Sequence, residues 1–171
     1  MKASLSRFLK FTTVLVSILI FAGCSGLSTI EYHNEVVEAM NNLSTALEES
    51  TEVYDAGVPN IVTETSTIDV EGMQSAYESA VTETEAAQSV FSLQGRNEAQ
   101  QAAVQSEFEN YVALAEAYLS TYQAMMDYYA SGQFMESLDE VATYDGTLHE
   151  QYNAFIDSNN TLVDILGEYA D

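Results

Sequence analysis

Along most of this chain, apolar residues recur at alternating intervals of three and four, and a backbone keeps such residues on one side only by coiling into an α-helix. Four stretches carry the pattern. Val36, Met40, Leu43, Leu47 and Tyr54 predict a first helix over roughly residues 29–55, closed by the turn-forming run from Asp55 through Gly57 to Pro59. Val70, Met73, Tyr77, Ala80, Thr84, Ala87 and Phe91 predict a second, with Gly95 read as its C-terminal cap and Asn97 as the N-cap of the next. Val104, Phe108, Tyr111, Ala115, Tyr118, Tyr122, Met125 and Tyr129 form the clearest seam, unbroken to Ser131 and Gly132.

A fourth seam runs through Phe134, Leu138, Val141, Leu148, Tyr152, Phe155, Leu162, Leu166 and Tyr169, with Asp145 and Asn159 falling on it. Asp145 and Gly146 are expected to kink or split this helix, because a buried unpaired carboxylate is costly and glycine disfavours helix by about 1 kcal/mol. Residues 60–69 are rich in β-branched side chains and read either as loop or as helix begun at Pro59. With 47% hydrophobic residues, one proline and eight glycines, the composition argues against disorder and against a turn-rich sandwich. The expected fold is all-α, an elongated antiparallel up-and-down bundle of about four helices occupying residues 29–171.

The chain opens with a basic stretch holding Lys2, Arg7 and Lys10, then a mostly apolar run over residues 11–22, then Gly23 and Cys24. That layout predicts a secretory signal over residues 1–23. As a helix the apolar run would span about 18 Å at 1.5 Å per residue, short of a hydrocarbon core of roughly 30 Å. The residues Phe21-Ala22-Gly23-Cys24 resemble the lipobox of bacterial lipoproteins, with Phe21 departing from the usual aliphatic choice. The resemblance implies cleavage between Gly23 and Cys24 and lipid on Cys24, with residues 24–28 as lipidated cysteine and short tether. Cys24 is also the sole cysteine, so a structural disulfide is excluded. Ser25 follows it, not the aspartate that retains such proteins at the inner membrane of enteric bacteria. The implied location is the cell envelope, at the outer membrane if the host has one and otherwise on the outer face of the cytoplasmic membrane.

Charge narrows the partners. Asp and Glu number 27 against four Lys and Arg, and loss of residues 1–23 removes three bases and no acid, which moves the formal charge from −23 to −26. Arg96 is then the only base. Such a surface repels phosphate backbones, which excludes nucleic acid, and leaves a basic envelope protein or a cationic ligand as the partner class. Few helix-surface ion pairs can form, so packing has to supply stability.

Catalytic and cofactor constellations are missing from the sequence. His33 and His149 lack the Glu-x-x-His context of bundle di-metal sites, since Ile30 and Gly146 stand three residues before them, and no calcium-loop pattern surrounds Asp145. No Gly-x-Ser-x-Gly elbow, phosphate-cradling glycine loop or lysine beyond the leader is present. Neither an enzyme nor a resident metal or cofactor is expected. The run Glu48, Glu49, Glu52 and Asp55 reads as a solvated face, with weak divalent-cation condensation as its functional alternative. Eight of the eleven tyrosines lie on the seams, either as structural rings whose hydroxyls find partners or as the lining of a ligand groove.

Residues 151–166, with Tyr152 and Asn153, Phe155 and Ile156, and Asn160 two before Leu162, resemble a segment of YiiG-like helical lipoproteins, which implies only an envelope lipoprotein. The function expected from the sequence is a lipid-anchored, non-enzymatic binding or scaffolding module. Two rivals are an extracytoplasmic sensor of small molecules or metal ions that uses the tyrosine-lined seam, and an inert envelope spacer.

Overall fold

The computed structural model describes residues 26–170. The cleavage and lipidation positions Gly23 and Cys24 lie outside them. Four α-helices follow in order: α1 (Thr29–Gly57), α2 (Val70–Ala87), α3 (Glu98–Ala130) and α4 (Leu138–Gly167). Each of the first three begins where an oxygen-bearing side chain satisfies an otherwise orphaned backbone donor. Ser28 and Glu31 close a reciprocal capping box on α1, Asp69 accepts from the Gly72 amide on α2, and Asn97 accepts from the Gln100 amide on α3.

The helices run up and down. Tyr111 meets Met40 and Tyr122 meets Ser50, which makes α1 and α3 parallel. Tyr54 meets Asp145 while Ser44 meets Asn159, and Tyr77 meets Gln123 while Gln88 meets Glu116, so α4 opposes α1 and α2 opposes α3. Backbone packing joins α1 to α2, α2 to α3 and α3 to α4; α1 and α4 stand farther apart. At 1.5 Å per residue, the 29 residues of α1 set a height of about 43 Å. No helix among the described residues is long and apolar enough to cross a membrane.

The structure departs from the sequence expectations in four places. First, α4 passes through Asp145 and Gly146 without a break. Asp145 lies at the edge of the seam, its side chain 51% exposed and accepting a hydrogen bond from Tyr54, so no unpaired carboxylate is buried; Gly146 merely faces open space. Second, α2 tightens into a 3-10 turn over Gln88–Ser92, and at three residues per turn Val90 eclipses Ala87 and enters the core in place of the expected Phe91.

Third, Gly95 is no helix cap. It sits three residues beyond the 3-10 turn, bridged to Leu27, and a Cβ added to it would lie 3.4 Å from the Tyr32 ring. Fourth, Phe134 is buried from a separate 3-10 turn at Gln133–Met135, reached through Gly132 at φ +74°, and Leu138 at the first position of α4 is 47% exposed. Residues 60–69, whose state the sequence left open, form no helix; Thr63 and Ser66 close a local turn through two hydrogen bonds of 2.9 Å.

Candidate functional site

The α3 tyrosines are structural rungs. Tyr111 donates to the Met40 carbonyl at 3.0 Å and shares a 2.8 Å bond with Ser44; seven residues on, Tyr118 bonds Thr51 at 2.9 Å; Tyr122 donates to the Ser50 carbonyl at 3.0 Å. Their rings join a chain of aromatic contacts from Phe91 through Phe108, Tyr111, Phe155, Tyr152 and Tyr118 to Tyr122, the closest being Tyr111 on Phe155 at 4.4 Å between centroids. Burial pushes the pKa of Tyr111 and Tyr122 well above the usual phenol value. These hydroxyls are engaged with the oxygens of α1.

Where α1 finishes and α4 begins, the bundle carries a cleft of about 550 Å³, within the range of small-molecule sites. Its walls come from three segments: Tyr54 and Asp55 of α1, Val58, Pro59, Asn60 and Val62 of the following loop, and Leu138, Val141, Ala142, Asp145 and His149 of α4. Asp69 donates its amide to the Gly57 carbonyl at 3.2 Å, closing residues 58–69 at their base. On the cleft wall the Tyr54 hydroxyl donates to Asp145 Oδ1 at 3.0 Å, and His149 Nδ1 lies 2.9 Å from the Asp145 carbonyl and 3.5 Å from its carboxylate. Desolvation, then the neighbouring Tyr129 and Asp145, hold Tyr54 far above an ordinary phenol, so it stays a donor. Behind it Tyr129, 3% exposed, keeps a buried hydroxyl with no hydrogen-bond partner among the described residues.

The acids singled out in the sequence separate in space. Glu48 and Glu52 flank Tyr152 and raise its pKa after desolvation has done so; Glu49 faces α2 beside Glu83; Asp55 opens into the cleft. Among the described residues no group of three or more His, Cys, Asp or Glu is placed to hold a metal ion. His33 lies on α1, near the end opposite the cleft, and His149 lines the cleft. The sequence reading did not bring His149, Asp145 and Asp55 together; the signal available was the shared position of all three on the α1 and α4 faces that meet at the turn-rich run after Tyr54.

At the opposite end the chain is pinned as soon as it emerges. Leu27 donates its amide to the Gln94 carbonyl at 2.7 Å and accepts from the Arg96 amide at 2.8 Å, while Arg96 Nε donates to the Gly26 carbonyl at 2.7 Å. The base that the sequence left alone against all the acids is thus fastened to the start of the bundle. Comparison with protein-family models, with curated proteins and with solved structures finds no match.

Proposed function

We propose that the protein is a cell-envelope lipoprotein, anchored through lipid on Cys24, whose acidic bundle acts as a non-enzymatic binding or scaffolding module. The observation that carries this reading is polarity along the rod. Gly26 and Leu27, two and three residues after Cys24, are fastened to residues 94–96 at one end, and the cleft lies at the other. A lipid at Cys24 would hold the first end at the bilayer and present the cleft about 40 Å out. The charge supports a cationic partner: repulsion from anionic headgroups keeps such a rod off the membrane surface, and basic surfaces are drawn to it.

Intact mass of the protein extracted from its host membrane tests the anchor. A chain starting at Cys24 with diacylglyceryl mass, lost together with membrane association in Cys24→Ser, supports the reading; a soluble, unacylated chain starting at Met1 overturns it. Capture of partners from the envelope fraction tests the module, with basic partners released by salt as the expected result. The sensor reading gains from one specific observation, the cleft itself.

A further inference from the structure

Beyond an unspecified cationic partner, the cleft has a chemistry of its own, which deepens the binding-module reading. Two carboxylates, Asp55 of α1 and Asp145 of α4, line it, and no Lys or Arg stands among its lining residues. The sole base beyond the leader, Arg96, is engaged at the far end of the rod. The α1 helix terminates at the cleft with no basic residue in its last turn, so the partial negative charge of its carboxyl end is uncompensated. The amino end of α4 offers the opposite partial charge, but Asp139 and Glu140 occupy its first turn. Part of the remaining wall is aliphatic, from Val58, Val62, Leu138 and Val141, beside the polar Asn60 and His149.

A hydrated metal ion would leave that aliphatic wall unused, and an anion would meet only repulsion. A neutral apolar molecule would leave the carboxylates without a partner. We propose that the distal cleft binds a small organic cation, its ammonium between Asp55 and Asp145 and its apolar body along Val58, Val62, Leu138 and Val141. Tyr54 positions Asp145 by donating to Oδ1 and leaves the second carboxylate oxygen free for the ligand.

The test is titration of the membrane-extracted protein, in neutral detergent, with phenethylammonium chloride, its neutral counterpart phenethyl alcohol and calcium chloride, followed by calorimetry and by the His149 ring resonances. Saturable binding of the ammonium that shifts the His149 signals, weaker by about tenfold in Asp145→Asn and less so in Asp55→Asn, is expected, with Glu83→Gln without effect. Circular dichroism of each variant separates loss of the site from loss of the fold. Equal affinity for the alcohol, equal weakening by Glu83→Gln, calcium displacing the ammonium from His149, or absence of binding would each overturn the proposal. None of these outcomes bears on the anchor, which the mass measurement decides alone.

Discussion

Tyrosine is the residue on which this fold turns. A leucine in the place of Tyr111, Tyr118 or Tyr122 would fill the seam but could not reach across to the oxygens of α1. Removing only the hydroxyl, as in Tyr111→Phe, should cost about 1 kcal/mol, because the Met40 carbonyl lies within a helix and loses only an added donor; Tyr111→Ala should cost about 3 to 5 kcal/mol through the cavity it opens. Urea unfolding midpoints of the two variants measure the difference. The raised pKa values of Tyr54, Tyr111 and Tyr122 have a second consequence. Their folded values lie above the unfolded value of 10.0, so their contribution to stability is complete below pH 10 and declines as the pH rises past it. The phenolate absorbance that Tyr54, Tyr111 and Tyr122 contribute, isolated by difference against their Phe variants, should therefore appear together with loss of the helix signal; ionisation of these three while the helix signal holds would refute it. The sequence showed these rings on the seams, yet it could not say which hydroxyls meet a partner, since Ser44, Ser50 and Thr51 became partners only when α1 and α3 came to face each other across the bundle.

Among the elements, α4 separates helix propensity from tertiary demand most clearly. Gly146 has nothing within 4 Å of a Cβ added to it and sits inside a continuous helix. Gly146→Ala should raise stability by about 0.5 to 1 kcal/mol, read as a higher melting temperature, because it removes backbone freedom from the unfolded chain without a clash. Gly26→Ala should do the reverse at the other end of the rod. Its Cβ would fall 2.3 Å from the Gln94 carbonyl oxygen, and the pairing of Leu27 with residues 94–96 would have to give way. Faster amide hydrogen exchange at Leu27 and Arg96, with the α3 core unchanged, is the measurement that checks it. Periodicity located all four helices to within a few residues. It misjudged Phe91 and Leu138, because both lie where a 3-10 turn or a helix start alters the rotation per residue, and apolar spacing carries no record of that change.

For the whole molecule, self-repulsion is the dominant electrostatic fact. With Arg96 as the sole Lys or Arg among the described residues, the acids oppose the compact state over distances that salt screens to about 10 Å at 0.1 M. The melting temperature should rise steadily with sodium chloride from low to moderate concentration; insensitivity to salt would show that the charges lie too far apart to matter. The same field concentrates cations at the distal cleft, so ligand affinity there should fall as salt rises while the fold gains.

The spacing of apolar residues determined that this chain forms four helices and which face each turns inward, because that information is local and repeats every turn. The cap at Asn97 was legible locally too, whereas those at Ser28 and Asp69 emerged only in the structure. What tertiary structure alone decided is the separation of α1 from α4 and the way residues 58–69 fold across the gap. A cleft arises from the distance between elements far apart in sequence, and no side chain encodes that distance until packing has fixed it.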